Sequence, residues 1–262
     1  MVFITGASSG LGEALAREHA RLGHAVALFA RRGPALKALA ASLGALGAAG
    51  SLALVGDVRH RGDLDRALRA TLARFGRVDI VYANAGFGLR GDLADLTLEQ
   101  WRRQQAVNVE GLLNTVWASL PALKASRGRL GLVGSVLGFG VVPGNGAYAA
   151  SKFAVRAIAL ALRAELQASG ISVTHIAPGF FDSRFRQRDQ KGGYDPQRPD
   201  SAPRGWSIPA AQAAAFASRA VLARRRETVF PLHGWLTATL FRFFPALALS
   251  LAARVRRRRL AA

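Results

Sequence analysis

The first twenty-two residues constrain the fold most. The apolar run Val2–Thr5 reads as a short strand. It leads directly into Gly6-Ala7-Ser8-Ser9-Gly10-Leu11-Gly12, and then into a helix with Leu11, Leu15 and Leu22 on one side. Strand, glycine loop and helix in that order make a cradle for a phosphate. The glycines permit a tight turn and close backbone approach, and a helix N-terminus favours negative charge. The spacing Gly-x-x-x-Gly-x-Gly differs from the commoner G-x-G-x-x-G. A glycine turn that binds nothing is the alternative, and the flanking strand and helix argue against it.

The alternation continues along the chain. Further strands are expected at His24–Ala30, Ser51–Val58, Val78–Ala83, around Leu130, Leu132 and Val133, at Ile171–Ile176 and at Glu227–Pro231. Helices are expected from Pro34, over Arg61–Phe75, from Thr97 with Gln100 completing a capping box, around Tyr148, and over Pro209–Arg224. Such a pattern predicts an α/β fold: a doubly wound parallel sheet of about seven strands with helices on both faces. Ligands in these sheets bind at the carboxyl ends of the strands. The glycine loop, Asn84, Ser135 and Pro178-Gly179 all follow expected strands, so they should share one edge and one site. The 262 residues divide into one domain over 1–232 and a tail over 233–262. Within the domain, 181–207 has little periodicity and many Gly, Pro, Arg and Asp residues. A long irregular segment after a strand's carboxyl end suits a lid over a substrate.

Three polar groups near the fifth strand could serve one reaction. Tyr148 and Lys152 are four apart and lie on one helix face, and Ser135 stands thirteen residues before Tyr148. A free tyrosine, with a pKa of about 10, is a poor base at neutral pH. A neighbouring ammonium is expected to lower that value, so that Tyr148 can pass a proton to or from an alcohol or carbonyl oxygen. The Ser135 hydroxyl could hold the same oxygen. An ordinary Tyr–Lys contact on a solvated helix is the competing account. Asn108 falls in the middle of an expected helix, where asparagine is unfavourable.

The second strand ends in Ala30-Arg31-Arg32, about where dinucleotide-binding units that take NAD carry an acid for the ribose 2′-hydroxyl. With no acid to repel a 2′-phosphate and two guanidiniums to clamp one, Arg31 and Arg32 favour NADP. Two surface arginines in an arginine-rich chain remain the alternative.

Composition bounds the rest. The absence of Cys excludes disulfides, thiolate metal sites and a cysteine nucleophile. Five scattered His show no metal-ligand spacing, so no metal is expected. The apolar start runs straight into the glycine loop and leaves no room for a signal peptide, so a cytoplasmic location is expected. The formal net charge of +20 predicts attraction to anions, or merely a solvated basic surface. In the tail, Leu236, Leu240, Phe244, Leu247 and Leu251 fall at helical spacing, interrupted by Arg242 and Pro245. Arg254 and Arg256–Arg259 follow. Such a segment is too short to span a bilayer and could lie on an anionic membrane surface, or pack on its own core or a partner subunit.

Together the motifs resemble those of the short-chain dehydrogenase/reductase family over about residues 2–231. Thr5–Gly12 is similar to its cofactor loop, Asp57-Val58 to the segment by the adenine ring, and Asn84-Ala85-Gly86 to its NAG motif, with Ala83 where Asn often precedes it. Asn108, Ser135, Tyr148 and Lys152 match its catalytic tetrad. Pro178-Gly179 matches the segment flanking the nicotinamide, with Ser183 where Thr is usual. The resemblance implies a Rossmann-like fold and hydride transfer between NADP(H) and a carbonyl or alcohol carbon. Tyr148 would be the proton donor, Lys152 would lower the tyrosine pKa and hold the ribose, Ser135 would position the carbonyl, and Asn108 would anchor a water. It also implies a homo-dimer or homo-tetramer. Phe87, Leu89, Leu137, Phe139, Val141, Phe180 and Phe181 flank these motifs and point to an apolar substrate. A non-catalytic NADP(H) sensor would have no need of four catalytic groups. A specific nucleic-acid binder is not expected, because the terminal arginine run contains no aromatic platform.

Overall fold

The structure, a computed structural model, describes residues 1–183, 197 and 205–260, with the side chains of 258–260 outside the description. Most of the expected lid therefore lies outside the described residues. Seven strands form one sheet: β1 (Val2–Thr5), β2 (Val26–Ala30), β3 (Ser51–Val55), β4 (Ile80–Ala83), β5 (Arg129–Val133), β6 (Ser172–Pro178) and β7 (Glu227–Phe230). All pair in parallel, in the order β3-β2-β1-β4-β5-β6-β7. The order reverses at β1, which pairs with β2 on one side and β4 on the other.

A parallel sheet covered on both faces needs strands that are apolar throughout, and β1, β2 and β4 are buried at every position. Alternate side chains feed two cores. Val2, Ile4, Val26 and Leu28 meet helices α1 (Gly10–Arg21), α2 (Gly33–Leu43) and α7 (Ala210–Leu222). Phe3, Ala27, Phe29 and Val81 meet α3 (Arg61–Phe75), α5 (Gly111–Ser126) and α6 (Gly146–Glu165).

Two expectations change. The helix from Thr97 keeps its capping box but is not continuous. It runs as α4 (Leu98–Gln105), then a π-helical turn over Ala106–Glu110, then α5. Asn108 sits on that turn, buried and hydrogen-bonded, which offsets its poor propensity. The tail forms α8 (Leu232–Phe243) and α9 (Pro245–Leu260), broken where Pro245 starts the second helix. The tail's inward contact is made by Ala238, Phe241 and Ala248, with Leu240 partly buried beside them. Leu236, Phe244, Leu247 and Leu251 of the expected stripe face solvent instead. No described helix is long and apolar enough to cross a membrane.

Candidate active site

The carboxyl ends of β1 and β4 are stitched together at the point where the strand order reverses. Thr5 Oγ1 donates to the Tyr82 carbonyl (3.2 Å) and accepts from the backbone N–H of Asn84 (3.0 Å) and Ala85 (3.2 Å). The Asn84 side chain donates to the Thr5 carbonyl at 2.8 Å. Gly6, at φ +67°, lies so close that a Cβ would stand 2.8 Å from Ala85 Cα. A Cβ on Gly12 would stand 2.4 Å from the Gly6 carbonyl oxygen. Glycine is therefore required where the loop folds back onto the start of α1.

This edge opens into a cleft of about 1240 Å³. Gly6, Ser8, Ser9, Gly10 and Leu11 line one end, with Arg31, Arg32, Asp57 and Val58 beside them. Asn84, Ala85, Gly86, Ser135, Tyr148 and Lys152 form the middle, and Pro178, Gly179 and Ser183 the far side. Gly12 and Asn108 do not line it; they act from behind. Arg32 is tied to the glycine loop, donating to Ser8 Oγ at 3.2 Å and to the Ser8 carbonyl at 2.5 Å. Burial alone would raise the Asp57 pKa. Hydrogen bonds from Arg59 and the nearby Arg31 charge outweigh it and hold the carboxyl below its ordinary value.

The residues present fit a dinucleotide. The glycine turn leaves backbone N–H groups at a helix start, the place where a diphosphate binds. Across the cleft, the Ser183 hydroxyl is buried with no hydrogen-bond partner among the described residues. Its Cβ lies 3.6 Å from where a Gly10 side chain would begin. Such an orphaned oxygen is costly unless a ligand meets it.

Ser135 follows β5 and Tyr148 lies in the first turn of α6, and both line the cleft. Lys152, one turn on, is buried, with Nζ 5.6 Å from the centre of the Tyr148 ring and donating to the Val133 carbonyl at 2.9 Å. The expectation that lysine lowers the tyrosine pKa is not met in this arrangement. Burial pushes the phenol up to about 12, against the smaller lowering by the Ser135 hydrogen bond. The ammonium is directed at a backbone carbonyl rather than at the phenol oxygen. Its own burial lowers Lys152 to about 8.

The sequence reading missed several supports. Gln104 lies four residues before Asn108 on the same face. It bridges the loop after β4, accepting from Leu89 N–H and donating to the Phe87 carbonyl, both at 2.7 Å. Its spacing to Asn108 was the available signal. Ser151 joins Asn108 to α6, accepting from Asn108 Nδ2 at 3.0 Å and donating to the Tyr148 carbonyl at 2.7 Å. Thr237, Ala252, Val255 and Arg256 of the two C-terminal helices also line the cleft, and Arg256 bonds to Asp92 at 2.6 Å. Of the apolar residues flanking the motifs, Phe87, Leu137, Phe180 and Phe181 line the cleft. Leu89 and Phe139 are core residues, and Val141 is exposed elsewhere.

The chain is similar to known proteins. An uncharacterized oxidoreductase of Staphylococcus epidermidis is 36% identical over 181 residues, covering 69% of this chain and 77% of that protein. The structure of an alcohol dehydrogenase from the archaeon Thermococcus sibiricus, complexed with 5-hydroxy-NADP, matches with a TM-score of 0.77 at 30% identity, over 87% of this chain and 95% of that one. A short chain dehydrogenase/reductase from Burkholderia phymatum in complex with NAD matches with a TM-score of 0.81 at 25% identity, over 91% and 92%. The short chain dehydrogenase sequence profile matches residues 1–192. With that match, the parallel sheet and the glycine cradle, the chain belongs to the short-chain dehydrogenase family, nucleotide-binding oxidoreductases that transfer hydride between a nicotinamide cofactor and a CH–OH or C=O carbon.

Proposed function

We propose that the protein is an NADP(H)-dependent oxidoreductase acting on an apolar carbonyl or alcohol, with Tyr148 as the general acid/base. The observation that carries this reading is that Ser135, Tyr148 and Lys152, with Lys152 Nζ 5.6 Å from the Tyr148 ring centre, line the same cleft as the glycine cradle. When bound, the cofactor supplies or accepts the hydride. Arg31 and Arg32 stand at the end of β2, where a 2′-phosphate would be held. Tyr148, with a pKa of about 12, keeps its proton at neutral pH and can give it to an oxygen that gains charge. Ser135 orients that oxygen. Lys152, at about 8, is mainly charged at neutral pH and places a positive charge under the reacting edge. Phe87, Leu137 and Phe180 exclude water around it. Exposed Trp117 on α5 and Phe153 and Leu160 on α6 support a homo-dimer or homo-tetramer assembled through those helices.

The test is NADPH oxidation measured over aldehydes, ketones, steroids and 3-oxoacyl thioesters. Tyr148→Phe should lower turnover by about 10²–10⁴-fold with NADPH binding retained. Near wild-type turnover in that variant would remove Tyr148 from the chemistry. A preference for small charged keto acids would remove the apolar substrate.

A further inference from the structure

The C-terminal helix pair leaves large apolar side chains exposed. Ala238, Phe241 and Ala248 turn inward. On the outward side, Phe243 is 65% exposed and Phe244 60%, with Leu247, Leu251 and Trp235 exposed alongside them. This face is set among cations. Residues 228–262 contain six arginines and no acid. Arg242 and Arg256 are held by Glu227 and Asp92, whereas Arg254 and Arg257 are exposed and form no ion pair among the described residues. Ala252 and Val255 of the same helix line the cleft, so the apolar face and the cleft share one rim.

We propose that the α8–α9 face docks on an anionic lipid surface, with Phe243, Phe244, Leu247 and Leu251 entering the acyl boundary and Arg254 and Arg257 at the headgroups. An apolar face on helices that carry arginines and no acid of their own is the composition of an interfacial helix. Each described helix is too short or too polar to span the bilayer, which leaves the interface. A second copy is a poorer occupant. A two-fold contact sets each patch against itself, here Arg254 and Arg257 against their copies, while the neighbouring acids Glu227 and Asp92 are already paired with Arg242 and Arg256. A phosphate backbone would answer the arginines but not the phenylalanines. Docking brings the cleft rim to the lipid surface.

The experiment is sedimentation of the full chain with phosphatidylcholine vesicles with and without phosphatidylglycerol, at low and high salt. Binding should need the anionic lipid and weaken with salt. Two exposed-site variants separate the contributions. Phe243→Ser/Phe244→Ser/Leu247→Ser keeps the charge and should lower partitioning at least tenfold. Arg254→Gln/Arg257→Gln should lower it about fivefold for each arginine. Both variants change only residues outside the cleft, so an unchanged cofactor-binding isotherm and thermal transition verify their fold. The proposal is overturned if the wild type ignores anionic vesicles at low salt, or binds neutral vesicles equally. It also falls if the serine variant binds like wild type, which would leave only net charge. It fails too if the wild type does not bind vesicles and the serine variant instead splits an oligomer, which would assign the face to a second copy.

Discussion

Asn108 satisfies both polar groups of the Phe87 backbone. Its Oδ1 accepts from the Phe87 N–H at 3.0 Å, and its Nδ2 donates to the Phe87 carbonyl at 2.9 Å. All of these atoms are buried, so the loop after β4 is held by a side chain placed on a π-helical turn. The carbonyl keeps Gln104 if Asn108 is removed, but the N–H keeps nothing. Asn108→Ala should therefore destabilise the fold by about 1–3 kcal/mol, the cost of a buried donor left unmet. Urea unfolding measures this directly. A loss below about 0.5 kcal/mol would mean that water replaces the amide.

The legible parts of this molecule are those with short-range signatures. The glycine loop, the Tyr148–Lys152 spacing and the strand ends are marked by short apolar runs, the helical period of 3.6 and local turn chemistry, and Gly6, Ser135 and Pro178 do meet in one cleft. The π turn at Asn108 adds one residue to a turn without disturbing the apolar pattern, so a continuous helix was the natural expectation. The tail's inward face was not legible because the helices approach through alanine: Ala238 and Ala248 pack inward while the larger leucines stay outside. The Tyr148 pKa depends on burial and on where Lys152 Nζ is directed, both tertiary facts. The Arg256–Asp92 pair joins residues 164 apart.

Acid sensitivity should trace to His19. It is fully buried, with ring nitrogens 2.9 Å from His24 Nδ1 and 2.9 Å from the Tyr82 hydroxyl. Burial, with His24 and the N-terminal ammonium adding to it, lowers its pKa to about 3. Unfolded, it binds a proton below about 6.5. The unfolded state therefore takes up the extra proton between those values, and stability falls as pH drops from 6.5 toward 3. Between pH 7.5 and 5 this one group should remove about 2 kcal/mol. His19→Gln should be less stable than wild type at pH 7.5, with a shallower decline toward pH 5. Unfolding curves with equal pH slopes in both proteins would assign the acid sensitivity elsewhere.

Cofactor choice should follow Arg31. Arg32 already donates to Ser8, so Arg31 is the guanidinium left to take a 2′-phosphate. Losing one charge-assisted bond costs about 1.5–3 kcal/mol, or about tenfold to a hundredfold in affinity. Arg31→Asp should weaken NADPH by that factor and NADH by much less, read by fluorescence titration. Equal affinity of the wild type for both cofactors would contradict the assignment.

The loop that carries Ser135 should answer to α8. Phe139 on that loop lies under two guanidiniums, Arg156 at 4.3 Å and Arg242 of α8 at 4.9 Å from the ring centre. Arg242 is fixed by Glu227 at 2.9 Å, and Glu227 also holds His175 at 3.1 Å. Next to Phe139, Gly140 meets α8 face on: a Cβ there would stand 1.9 Å from Phe241 Cγ. Gly140→Ala must therefore push the Phe241 ring away. Overpacking of this kind costs about 1–3 kcal/mol, and the strain is relieved if the intruding ring shrinks. Phe241→Leu alone should also destabilise, through lost contacts. In the double variant the smaller leucine side chain should make room for the new methyl group, so the combined loss should fall short of the sum by about 0.5–3 kcal/mol. Strict additivity in chemical unfolding would mean that Gly140 and Phe241 do not press on one another, and that α8 does not hold the loop.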